Sequence, residues 1–215
     1  MNSVPRSLLV ALFISFSSLQ AHANVEELRG LMAEAAEFQG EYRKAMRMKG
    51  QVDAAKEEIA GKELALKNAF EALKSGSRQS GCPQESADKK VAAACNAEAA
   101  RLAGLRNELL GQADGQKKYA ALLQREREKL NQVTLTTESK KKSVDALLGV
   151  LDVAFQSWQR RYAAIVFKAP PYNRLVSTQE GASNCKPLAA SGKEAILEEA
   201  QRCLQWLWVG TLQNR

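Results

Sequence analysis

Every seventh residue from Leu31 to Leu73 is apolar: Leu31, Phe38, Ala45, Val52, Ile59, Leu66 and Leu73. A repeat of seven keeps one stripe on one face of a helix, and that stripe demands a second helix to cover it. A second run follows, Cys95, Leu102, Leu109, Gln116, Leu123 and Leu130, with Gln116 as its one polar member. Folding the two runs antiparallel, with Leu31 facing Leu130, Val52 facing Leu109 and Leu66 facing Cys95, satisfies both stripes. The same register sets the acidic beginning of the first helix (Glu26, Glu27, Glu34, Glu37, Glu41) beside Arg125, Arg127 and Lys129. The flanking positions fit less well. Phe70 would meet Val91 and Tyr42 would meet Tyr119, but Glu63 would meet Glu98, so a third segment or a partner is expected to cover one side.

These patterns predict an all-α fold: a long antiparallel helical hairpin, a coiled coil, with a small C-terminal helical head, stapled by two disulfides. The hairpin occupies residues 24–143 with its tip at 75–83, because Ser75-Gly76-Ser77-Arg78-Gln79-Ser80-Gly81 cannot continue a helix. Ser86 and Asp88 are candidate N-caps for the second helix, which is predicted to run from about 88 to 168. Its weak point is 131–143, where Thr134, Thr136, Thr137 and Ser139 compete for backbone hydrogen bonds. The heptad phase nevertheless survives through Leu130, Thr137, Val144, Leu151, Trp158 and Ile165, which argues for a continuous or gently bent helix.

The head is expected over 144–215, as a helix 144–168, a loop 169–191 and a helix 192–209. Apolar residues cover more than one stripe of its first helix, including Leu147, Leu151, Phe155, Trp158, Tyr162, Ile165 and Phe167, so that surface must be covered. Ala169-Pro170-Pro171 ends it, since proline excludes the helical conformation from the residue before it. Ser191 and Glu194 have capping-box spacing at the start of the last helix. Its face Ile196, Ala200, Cys203 and Leu207 is predicted to pack on 144–167.

Compartment is read from the first residues. Arg6 precedes an apolar run, Leu8 to Phe16, and Ala21-His22-Ala23 offers small residues where a signal peptidase reads. Residues 1–23 are therefore expected to be a signal peptide, and the protein periplasmic or secreted. The alternative, a retained anchor, runs against the shortness of the apolar stretch, since a span needs roughly 20 residues. No later stretch is expected to span a membrane. His22 is the sole histidine and leaves with the signal, which removes Ser-His-Asp and Cys-His nucleophile pairs and every zinc site built on imidazole. No catalytic residue, metal site or cofactor is expected.

Four cysteines allow three pairings. A repeated phrase, a cysteine before a helix and another within it, favours Cys82 with Cys95 and Cys185 with Cys203. No Cys-x-x-Cys occurs, and an oxidising compartment favours structural bridges over a redox or metal site.

Charge and shape carry the expectation of function. The formal charge of +7 loses only Arg6 on cleavage and becomes +6; for an exported protein that suits acidic proteins or lipids better than nucleic acid. Between Lys117 and Lys142 the basic residues outnumber glutamates and end in Lys140-Lys141-Lys142, either a contact for an acidic partner or a solvated face. Trp206, Trp208 and Val209 extend the last helix's apolar surface beyond one stripe, so they either anchor a partner or complete the head's core. The layout is similar in outline to secretion-system adaptors and minor periplasmic subunits, which implies a non-enzymatic binding or assembly component whose partner is another envelope protein. In being basic, exported and coiled-coil, the chain also resembles the Skp-like holding chaperones, the second reading. An inhibitor or immunity protein for one envelope partner is the third. Oligomerisation is left open.

Overall fold

A computed structural model of the protein describes residues 6–77, 82, 88–185 and 192–213, with side chains described between 25 and 211 within those spans. Its described secondary structure is entirely helical: α1 Arg6–Ser75, α2 Lys89–Leu110, α3 Gly115–Ala163, a five-residue π turn Ala164–Lys168, α4 Tyr172–Val176, α5 Gln179–Asn184 and α6 Lys193–Gln213. The chain divides into two compact units. One comprises residues 45–147; the other comprises residues up to 44 together with 148–215. This division departs from the boundary drawn at 143 on the sequence, since the first part of α1 belongs with the head.

In the unit 45–147 the predicted hairpin is present, but its second arm is α3. Lys56 pairs with Glu138 at 2.6 Å, while further along α1 Phe70 shares a groove with Arg127 and Leu130, so numbers rise on α1 as they fall on α3. The hairpin is antiparallel, in a different register from the one inferred above. Helix α2 runs the other way. Lys90 donates to Glu57, and Gly61 abuts Ala94 and Cys95, a nearly constant offset that makes α2 parallel to α1. It is antiparallel to α3, joined to it by the turn 111–114.

The sequence explains each of these ends. Asp88 caps α2, its carboxylate accepting from the amides of Lys90 and Val91 at 2.9 and 3.4 Å; Ser86, the other candidate, lies outside the described residues. Gly111-Gln112-Ala113-Asp114 ends α2, with Asp114 at φ 58°, the left-handed region that a short polar side chain tolerates. Gln116 is exposed: the one polar member of the second run marks where that run is two helices rather than one. Through 131–143, by contrast, α3 is continuous, and Thr134, Thr136 and Ser143 satisfy their hydroxyls on carbonyls one turn back. Of the tip expected at 75–83, α1 ends at Ser75 and Gly76 follows at φ 69°; residues 78–81 and 83 lie outside the described residues.

Close approach of α1 and α2 rests on Gly61. A β-carbon there would stand 2.6 Å from the Ala94 β-carbon, 2.7 Å from the Val91 carbonyl oxygen and 2.8 Å from the Cys95 nitrogen. Around this contact lie Ala65, Cys95 and Ala99, all buried. Next to it Ile59, Leu66, Ala69, Leu102, Tyr119, Leu123 and Leu130 form the unit's main apolar cluster. Glu98 does not meet Glu63. Its carboxylate takes both Nε and Nη2 of Arg101 at 3.0 and 2.7 Å, and the same Nη2 reaches Glu126 on α3 at 2.5 Å, a charged tie between α2 and α3.

In the other unit, Leu28, Leu31 and Ala35 of α1 pack with Phe155, Trp158, Tyr162, Ile165 and Val166, and with Leu197, Ala200, Cys203, Leu204 and Leu207 of α6. The register inferred from sequence faced Leu31 with Leu130; here it lies instead in the head's core. Phe155, Trp158 and Tyr162 stack along α3 at centroid spacings of 6.0 and 5.5 Å, and the Trp158 indole, fully buried, donates to the Leu31 carbonyl at 3.2 Å. Of the acidic residues 26–41 on α1, Glu34 finds its partner here in Arg161, which engages both of its oxygens. Tyr42 likewise meets Lys193 rather than Tyr119, the ammonium lying 5.4 Å from its ring centroid.

The π turn draws α3 to its end, with the Ala169 amide donating to the Ala164 carbonyl at 3.1 Å before Pro170. The segment 169–191 is only partly a loop, because α4 and α5 lie inside it. Tyr172 sinks into the core, which orders α4, and Thr178 caps α5 by accepting from the Gly181 amide at 3.0 Å. The final helix runs beyond 209, to Gln213. Ser191 of the expected capping box lies outside the described residues, and Glu194 is engaged by Arg43 at 3.1 Å.

Candidate interaction surfaces

Both expected disulfides are formed. Cys82 is bonded to Cys95, with Cα atoms 6.0 Å apart, and Cys185 to Cys203 at 4.7 Å. Both members of the second bridge are buried in the head's core. It fixes the end of α5 to the middle of α6, and the sequence beyond Cys203 carries the three residues singled out as partner-binding.

Those three residues separate. Trp206 is half-buried against the core, its indole donating to the Glu180 carboxylate on α5 at 3.3 Å. Trp208 is also half-buried and packed on the core. Val209 is 51% exposed. Gln205, one turn before Val209 on the same face, is exposed as well. The tryptophans thus complete part of the core, while Gln205, Val209 and the outer edge of Trp208 face solvent.

The basic stretch is solvated. Lys140 and Lys142 are exposed, Lys141 pairs with Asp145 at 3.2 Å, and Glu138 lies among them while held by Lys56. The Lys56 ammonium, through this hydrogen bond, keeps the Glu138 carboxyl below the usual carboxylate range, with Lys141 and Lys142 adding to the effect. Among the described residues Lys141 alone of the three lysines is ion-paired, so most of the charge of this run faces solvent. Among the described residues, no cluster of three or more histidine, cysteine or carboxylate side chains is placed to hold a metal ion.

Two surface grooves were not anticipated. In the unit 45–147, α2 covers one flank of the α1–α3 pair and leaves a groove of about 610 Å³ open elsewhere along it. Leu66, Phe70 and Leu130 contribute its apolar surface, and Glu63, Lys67, Glu71, Lys74 and Arg127 its charged surface. The sequence carried a signal for it in the spacing of Glu63, Lys67, Glu71 and Lys74 along one face of a helix, beside the Glu63 position that the inferred register could not seal. In the other unit a smaller groove, about 280 Å³, is lined by Glu34, Glu37, Phe38, Glu41 and Leu151; Glu34 there is already occupied by Arg161.

No helix among the described residues is long and apolar enough to cross a membrane. No known protein family, curated protein or solved structure matches the chain.

Proposed function

We propose that the protein is an exported, non-enzymatic binding component of the bacterial cell envelope, of the kind that serves as a secretion-system adaptor or a minor periplasmic subunit. Export is supported by the amino-terminal pattern of Arg6, the apolar run 8–16 and Ala21-His22-Ala23. Two disulfides add support, since such bonds persist in oxidising compartments. The observation that carries the binding role is the outer face of α6. Gln205, Trp208 and Val209 sit on a helix pinned by the Cys185–Cys203 bond and by the Trp206–Glu180 hydrogen bond, so they are held with little freedom to lose on binding.

The test is a photoreactive residue in place of Gln205, irradiated in envelopes of the native host. The proposal expects one or two partners captured in near-stoichiometric yield, and their loss when Val209→Arg is added. A broad smear of unfolded outer-membrane polypeptides would replace this reading with a Skp-like holding chaperone. Capture that survives Val209→Arg would remove the face from the account.

A further inference from the structure

The groove on α1 and α3 has a charge order that selects its occupant. Glu63, Lys67, Glu71 and Lys74 all project to solvent, and among the described residues none of the four is held in an ion pair. They occupy about 16 Å of helix at the standard rise of ~1.5 Å per residue. Laying a second copy of this stretch beside the first in parallel would oppose Glu63 to Glu63 and Lys67 to Lys67. Laying it antiparallel, about a two-fold axis passing near Asn68 and Ala69, opposes Glu63 to Lys74 and Lys67 to Glu71, and the symmetry forms each pair twice. A two-fold contact requires this self-complementarity, with residue i meeting j while j meets i.

Apolar surface suited to such a contact lies between the charges. Phe70 is half-buried beside the axis, and Leu135, 65% exposed, extends the α3 face one turn past Asn131; Leu66 and Leu130, already buried in the unit's core, form only the floor of the groove. We propose that a second copy of this chain occupies the groove, its α1 antiparallel to the first, giving a two-fold dimer whose centre joins the two α1–α3 pairs. This interface is separate from the α6 face and does not depend on the role proposed for it.

The test is sedimentation equilibrium on the purified protein and two charge variants. The wild type is expected to form a particle of twice the chain mass, weakened by added salt. An all-basic variant, Glu63→Lys with Glu71→Lys, and an all-acidic variant, Lys67→Glu with Lys74→Glu, are each expected to self-associate more weakly by on the order of tenfold or more, since both opposed pairs become like-charged. Mixed in equal amounts, the two should restore the dimer. The four-fold exchange, which reverses the whole pattern, is expected to pair with itself and not with the wild type, and it serves if a double variant folds poorly. A monomeric wild type at high micromolar concentration would overturn the proposal. So would charge variants that associate as tightly as the wild type, or an exchange variant that pairs indiscriminately.

Discussion

Replacing Gly61 by alanine tests the packing of α1 on α2 at its closest point. In an open helix the change is favourable, by about 1 kcal/mol, because alanine gives up less backbone entropy and is the better helix former. At Gly61 the new β-carbon meets the Ala94 β-carbon at 2.6 Å, the Val91 carbonyl oxygen at 2.7 Å and the Cys95 nitrogen at 2.8 Å. Two of those atoms are backbone, so rotating a side chain does not relieve the contact. Restoring ordinary carbon separations of ~3.5 Å or more requires α2 to retreat by nearly 1 Å. Overpacking of this kind costs ~1–3 kcal/mol, and the upper part of that range applies where a helix must move. The net expectation is a loss of about 1–2 kcal/mol. Gly50 supplies the control: it lies on the same helix and in the same unit, with nothing within 4 Å of a β-carbon, so Gly50→Ala should gain about 1 kcal/mol. For a chain of this size the two variants should differ in Tm by about 4–12 °C with opposite signs relative to wild type. Thermal melts followed by circular dichroism, supported by urea unfolding, read the difference. A Gly61→Ala protein that melts as high as Gly50→Ala would refute the packing.

Other perturbations follow from the same contacts. Breaking the Cys185–Cys203 bond by replacing both cysteines with alanine should cost about 3 kcal/mol in urea unfolding, the loop-entropy value for a closure of this length (sequence separation 18); a loss below 1 kcal/mol would show that the bridge constrains little. The Tyr162 hydroxyl is buried without a hydrogen-bond partner among the described residues, and burial, reinforced by Glu199, pushes the phenol above its ordinary pKa. Tyr162→Phe should therefore match or exceed the wild type by about 1 kcal/mol, and a clear loss would reveal a missed partner. The Lys129 ammonium and then the Arg101 guanidinium, both hydrogen-bonded to Glu126, hold its carboxyl below the usual range, against the opposing effect of burial. A lowered folded pKa contributes stability above the unfolded carboxylate pKa of about 4.3 and loses it as pH falls through the folded value. Glu126→Gln should be less stable than wild type at pH 7, and the gap should close on acidification below that pKa; a gap independent of pH would contradict this.

The stripes were legible in the sequence because burial imposes them. Leu31, Ala45, Val52, Ile59 and Leu66 of the first, and Leu130, Thr137, Val144, Trp158 and Ile165 of the continuing one, all point inward. Their partners were not legible, since a heptad says which face is covered and nothing about which helix covers it. Two physical features misled the pairing. The apolar phase from Leu109 to Leu123 carries across a break and so masks the turn Gly111-Gln112-Ala113-Asp114. A single turn at 75–83 between two heptad runs implies a simple reversal, whereas α2 lies parallel to α1 through a close approach at Gly61, which is not a position of the apolar stripe. Disulfide connectivity was readable because the cysteine-then-helix phrase occurs twice. The α4–α5 segment was hidden because its order comes from Tyr172 entering the core rather than from any periodicity of its own. Similarly, the roles of Trp206 and Trp208 depended on which side of α6 the core occupies, and the open groove became visible only once α2 had been placed on the other flank.

Zero-length carbodiimide coupling of lysine to carboxylate, followed by peptide mass spectrometry, distinguishes the helix order of the unit 45–147 most directly. With α2 parallel to α1, Lys90 lies 2.9 Å from Glu57 and Lys56 lies 2.6 Å from Glu138, and both linked peptides should be recovered as links within single chains. An antiparallel α1–α2 hairpin in the heptad register would bring Lys90 to Glu71 instead, and recovery of that link in place of Lys90–Glu57 would contradict the arrangement.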